Sequence, residues 1–202
     1  MPRSVVLYTY MFRRLGSEKG YTVLELLVTA MVMFVILSVT VSYSRRSDRV
    51  SRLARQTERL VNDIRRAQTL TLVTQRLPGV PGEAPCGYGL HFANSNRTQY
   101  ILFAEVPYIG VPAVCPAGSP PFSPPSQYNG GDIIEETVVL EDGIEFDAPT
   151  GNADVVFHSP EPRTAFFPTS FTSLTITLRL QSDPSVDMQV RVNSTGQVEI
   201  IP

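Results

Sequence analysis

Few residues in this 202-residue chain have both the type and the setting for chemistry. Cys86 and Cys115 are its two cysteines. A disulfide between them would close a loop of about 30 residues and stabilise by a few kcal/mol in the chain-entropy view. Two buried free thiols are the alternative, because the separation of the two Cα atoms decides. No C-x2-C spacing accompanies them, and His91 and His158 stand alone, so the pattern does not support a zinc site. Both histidines fall in strand-like runs and read as ordinary strand residues. Asp132, Glu135, Glu136, Glu141 and Asp142 cluster near glycine turns without EF-hand spacing, which favours solvated loops over a calcium site. Asn96-Arg97-Thr98 and Asn193-Ser194-Thr195 match the glycosylation sequon. The chain has no G-x-S-x-G, H-E-x-x-H, P-loop or dinucleotide fingerprint, so no catalytic residue, cofactor or enzymatic activity is expected.

The residue that most needs explaining is Glu25. It sits inside G-Y-T-V-L-E-L-L-V-T-A-M-V-M-F-V-I-L-S-V-T-V-S-Y, a run from Gly20 whose residues 21–43 contain neither Gly nor Pro. As a helix these would extend roughly 34 Å, slightly more than a bilayer's hydrocarbon core. A carboxylate deep in such a segment costs on the order of 2.5–3.5 kcal/mol even on the mild insertion scale. Glu25 lies one turn from the N-terminal end of the run, where the cost is least. It follows a charged stretch ending in Glu18-Lys19-Gly20.

The element that positions Glu25 continues beyond the apolar run. Val50, Leu53, Ala54, Leu60, Val61, Ile64 and Ala67 recur at spacings of three and four, with Arg49, Arg52, Arg55, Arg59 and Arg66 between them. That predicts an amphipathic continuation over residues 44–77, ending near Leu77-Pro78-Gly79, and a helix of roughly 80 Å in all. Only this second half has one apolar face, so a folded head would pack there.

Residues 78–202 read as that head. Residues 88–92 and 99–105 form a predicted hairpin around Ala93-Asn94-Ser95-Asn96. Residues 107–131 contain seven prolines and Asn129-Gly130-Gly131, and are expected as a long loop. Short strands are expected at 137–140, 144–147 and 154–158. Runs 173–181, 187–193 and 197–201 alternate apolar and polar residues and predict an antiparallel meander. The fold class is therefore α+β: a long N-terminal helix, its first half membrane-spanning and its second half amphipathic, packed on an antiparallel β-rich head.

Lys19-Gly20-Tyr21-Thr22-Val23-Leu24-Glu25-Leu26-Leu27 resembles the processing site of type IV prepilins and type II secretion pseudopilins. The resemblance implies a leader, residues 1–20, cut off by a prepilin peptidase between Gly20 and Tyr21. It further implies methylation of the new Tyr21 amine, an assembly helix over 21–43, and Glu25 as the assembly glutamate. Tyr21 keeps the aromatic ring where the family more often has Phe. The Gly87-Tyr88-Gly89-Leu90-His91-Phe92 strand and the closing V-R-V-N-S-T-G-Q-V-E-I hairpin are, more loosely, similar to GspH/FimT-type minor pilins and pseudopilins. The implied protein is a pilin-like structural subunit, a minor one by its head, with a major type IV pilin as the second reading. Implied partners are the peptidase, other pilin or pseudopilin subunits and an inner-membrane assembly platform. The implied location is a single-pass membrane protein with its head outside the cytoplasm, and afterwards a periplasmic or cell-surface filament. A signal-anchored β-domain that binds a ligand and never polymerises is the alternative of another class; it would keep residues 1–20.

Charge is segregated along the chain. Residues 45–66 carry eight arginines against Asp48, Glu58 and Asp63, a balance of +5. From Leu77 onward four arginines face fourteen carboxylates, a balance of −10. Arginines on both sides of the apolar run leave the positive-inside rule undecided. The basic stem could make an electrostatic footprint for nucleic acid or lipid headgroups. Its place beside an acidic head favours stem-to-head and stem-to-stem ion pairing instead. A DNA-uptake minor pilin is thus a remote alternative, since residues 197–202 carry Glu199 and no basic residue. Nucleic acid is not an expected partner.

Overall fold

The structure, a computed structural model, describes residues 22–73, 85–106, 127–158, 163–168 and 172–201. Its contacts divide the chain into two units, Met1–Arg46 and Ser47–Pro202. Among the described residues one α-helix, α1 (Val23–Val73), contributes to both, and nine strands follow it. The class is α+β, as the patterning predicts. No Gly or Pro interrupts α1, and the expected end near Pro78 lies outside the described residues. Within the first unit the helix is apolar, and its most hydrophobic window is not buried at all. It is long and apolar enough to cross a membrane.

In the second unit two antiparallel sheets enclose the apolar face of the stem. The strands are β1 (Gly87–Phe92), β2 (Gln99–Glu105), β3 (Ile133–Val139), β4 (Ile144–Ala148), β5 (Ala153–His158), β6 (Arg163–Phe167), β7 (Ser173–Leu180), β8 (Asp183–Asn193) and β9 (Val198–Ile201). The five-stranded sheet has the order β3-β2-β1-β5-β6, the four-stranded sheet β4-β7-β8-β9. The expected first hairpin is β1–β2, pairing Leu90 with Leu102. The expected meander is β7-β8-β9, pairing Ile176 with Val190 and Val190 with Ile200.

Among the described residues one continuous cluster joins the stem to both sheets. Leu53, Leu60, Ile64 and Ala67 from α1 meet Tyr88, Leu90, Phe92, Tyr100, Leu102, Val155 and Phe157 from the larger sheet and Ile176, Leu178, Val190 and Val192 from the smaller. The first four recur at helical spacing, and the strand residues at alternate positions, so both periodicities converge on one interior. Polar side chains fix the stem against each sheet. The buried Thr71 hydroxyl accepts the Tyr88 N–H of β1 at 3.3 Å and shares its one proton between the Ala67 carbonyl of its own helix at 2.9 Å and the Phe157 carbonyl of β5 at 3.1 Å. Gln68 donates through Nε2 to the Gly196 carbonyl at 2.6 Å, in the β8–β9 turn. Gly196 has φ +80°, a conformation that a side chain would strain.

Three strands depart from expectation. β6 has no counterpart among the expected strands: five residues lie between Pro162 and Pro168, punctuation that argues against a strand except at an edge, where β6 stands. β3 begins at Ile133 rather than residue 137, because it is an edge strand whose Glu135 and Glu136 interrupt the apolar alternation and whose register shifts opposite Leu102 and Phe103. β8 begins at Asp183 rather than residue 187, with another register shift opposite Arg179 and Leu180. Of the expected loop over 107–131, residues 107–126 lie outside the described residues, and 127–131 contain no strand.

Candidate functional site at the start of the apolar helix

Thr22-Val23-Leu24-Glu25 has the T-x-x-E spacing of a capping box, a signal that places the helix start and is readable in the sequence. Thr22 stands at the N-cap. Its Oγ1 accepts the Glu25 N–H at 3.3 Å, and its carbonyl accepts the Leu26 N–H at 3.1 Å. Glu25 thus occupies the third helical position, where the positive end of the helix dipole favours a carboxylate by about 0.3–1 kcal/mol.

The other polar side chains of residues 23–41 are satisfied within the helix. The hydroxyl of Thr29 donates to the Leu26 carbonyl at 3.0 Å, Ser38 to Val35 at 2.8 Å and Thr40 to Ile36 at 2.9 Å. Each closes on its own backbone and needs nothing from outside. The Glu25 carboxylate is exposed and has no hydrogen bond or ion pair among the described residues. In an apolar medium a carboxylate costs roughly 2.5–3.5 kcal/mol at the centre of a span and less at Glu25, one turn from the start of the run, where the dipole term offsets part of it. A cation reaching Glu25 would offset the remainder. Gly20 and Tyr21, which complete the expected processing site, lie outside the described residues.

The remaining residues of interest are structural in their surroundings. Cys86 is buried and disulfide-bonded, while Cys115, its expected partner, lies outside the described residues. On the stem, Arg55 reaches Glu141 at 3.7 Å, Arg59 reaches Glu136 at 3.6 Å and Arg66 reaches Glu136 at 2.6 Å. Arg49 donates to the Ser182 hydroxyl at 3.1 Å. These are the stem-to-head pairs expected of a basic helix beside an acidic head. Asp63 of the stem accepts from the buried Tyr100 hydroxyl; burial, first, and this carboxylate both push the phenol upward. Asp132 accepts the Val106 N–H at 3.2 Å and the Asn129 N–H at 2.8 Å. Among the described residues no three His, Cys, Asp or Glu side chains converge as metal ligands.

Both sequons act as turns. Asn96 Oδ1 accepts from the Thr98 N–H and hydroxyl, and Asn193 Oδ1 accepts from the Thr195 N–H and hydroxyl. Asn-x-Thr is therefore explained by local hydrogen bonding at each position.

Sequence reasoning missed the histidines' partners. Each pairs with a carboxylate on the face of the five-stranded sheet turned away from the stem: His91 Nδ1 with Asp154 at 2.5 Å, His158 Nδ1 with Glu105 at 3.5 Å. All four are buried. Every residue of β1 and of β5 is buried, so this face is covered too. Alternating residues of three neighbouring strands make these pairs, and only the strand order, not any local spacing, brings them together.

No protein-family model matches the chain, and neither a curated protein nor a solved structure matches it.

Proposed function

We propose that the chain is a structural subunit of a type IV pilus or type II secretion pseudopilus, a minor one by the form of its head. On this reading it is processed after Gly20 and assembled through its N-terminal helix. The observation that carries the proposal is Glu25, the one polar side chain of residues 23–41 left without a partner among the described residues. Processing would give Tyr21 a free amine. In a filament, Glu25 of one copy would pair with the Tyr21 amine of its neighbour, two charges costly alone in an apolar interior and tolerable together. Leaving lipid for a filament core exchanges one apolar environment for another, so this pair and helix shape would set the stagger between copies. The apolar window of α1, none of it buried, also supports the reading.

The test is Glu25→Ala, followed by the amount of this subunit recovered in sheared filaments relative to the membrane fraction. The proposal expects membrane levels to be kept and filament incorporation to be lost. Normal incorporation would remove the assembly role of Glu25.

A further inference from the structure

A cavity of about 530 Å³ opens in the second unit, between the β4–β5 loop, the end of β6 and the start of β7. Its volume falls in the range of small-ligand sites, about 300–1,000 Å³. Thr150, Asn152, Ser173 and Thr175 supply the polar wall. The three hydroxyls make no hydrogen bond among the described residues, although Ser173 and Thr175 are half-buried. Asn152 is held in orientation, because its Oδ1 accepts the Asn94 N–H at 2.9 Å. That leaves its two Nδ2 donors to face a ligand or water. Ala148, Pro149 and Pro168 supply the apolar wall, and the two prolines add no N–H. No charged side chain is among the described residues that line the cavity.

This combination selects a ligand class. Half-buried hydroxyls without partners favour an occupant that both donates and accepts, and the apolar wall favours one with exposed C–H groups beside its hydroxyls. An ionic ligand would give up hydration and meet no counter-charge. A pyranose ring carries hydroxyls and C–H faces on one small neutral body. We propose that this cavity binds a neutral saccharide unit, so that the head recognises an uncharged glycan. The inference rests on the second unit alone and stands independently of how the N-terminus is processed.

The experiment uses the full chain in a detergent without a sugar headgroup. Saturation-transfer NMR and titration are run with glucose, galactose, mannose, N-acetylglucosamine and lactose, with glucuronate as the charged comparison. The expected result is saturable binding of at least one neutral sugar, weakened about tenfold by Thr175→Val. Thr150→Ala, at an exposed loop position, is expected to weaken it as well, and a thermal melt of each variant checks that the head is folded. Thr69→Val, on the exposed face of the stem, should leave binding unchanged. Absence of binding across the panel would overturn the proposal. So would binding indifferent to both wall substitutions, or glucuronate bound as tightly as the neutral sugars.

Discussion

Glu105 and His158 lie two strands apart, and their side chains meet at 3.5 Å across Gly87. Gly87 of β1 pairs with Glu105 of β2 on one side and with His158 of β5 on the other. A residue with a side chain between them would stand on the same face and fill the gap. The backbone is equally close there: a Cβ on Gly87 would lie 2.2 Å from the Phe157 carbonyl oxygen. The glycine therefore sets both the approach of β1 to β5 and the formation of this polar pair.

Gly87→Ala is accordingly expected to destabilise the head by about 2 kcal/mol or more, the scale of overpacking a tight interior. Urea unfolding of the full chain, followed by tyrosine fluorescence, measures it. A midpoint unchanged from the parent protein would show that β1 and β5 separate without cost.

His158 gives a pH dependence. Burial pushes the His158 imidazole below its ordinary value of 6.5, and a hydrogen bond to the Cys86 backbone opposes this only in part. The folded state thus binds this proton less readily than the unfolded state. Stability from His158 is full at neutral pH and is lost as pH falls through about 6.5 towards the lower folded value. Asp132 acts in the opposite sense, since burial, aided by the Asp154 charge and opposed in part by two backbone hydrogen bonds, raises its carboxyl. Acid relieves that penalty, but from the carboxylate range, at lower pH. The melting temperature should therefore drop between about pH 7 and pH 5, and His158→Gln should flatten that drop. An unaltered slope in the variant would place the loss elsewhere.

Two kinds of contact hold the stem, and their magnitudes differ. Arg59, Arg66 and Glu136 have side chains between about a third and a half exposed, so their ion pairs contribute only about 0–1 kcal/mol. Ile64 is fully buried, and Ile64→Ala should cost about 2–5 kcal/mol. Glu136→Gln should shift the urea midpoint far less than Ile64→Ala, and added salt should narrow the remaining difference from the parent. Equal shifts would mean that charge, not packing, seats the helix.

Thr71 tests the polar bridge to the larger sheet. Thr71→Val keeps shape but leaves the buried Tyr88 N–H without this acceptor, at a cost of about 1–3 kcal/mol. Hydrogen exchange should show faster opening at Tyr88 than elsewhere in β1. Protection kept at Tyr88 would show that the bridge adds nothing.

Much of this arrangement is legible in the chain, and the omissions have physical causes. Val50 to Ala67 announce the stem because helical period and burial coincide there. Leu174 to Val192 announce the meander because alternation and turn residues agree. β6 is hidden because its five residues carry too little pattern to outweigh flanking prolines. The ends of β3 and β8 are hidden because register shifts break strict alternation. Glu25 stands out in one dimension, being a single charge in an apolar run. The His91–Asp154 and His158–Glu105 pairs cannot, because they depend on β5 returning to lie beside β1 after β4 has joined the other sheet. The cavity beside Asn152 and Thr175 likewise belongs to strand ends distant in sequence.

The most direct test of the filament-subunit account is the N-terminal sequence and intact mass of the protein recovered from its own membranes. The account predicts a chain that begins at methylated Tyr21, with residues 1–20 gone. A chain that still carries residues 1–20 while its processing peptidase is present would contradict it, and would leave an anchored β-domain whose Glu25 merely sits at the membrane surface.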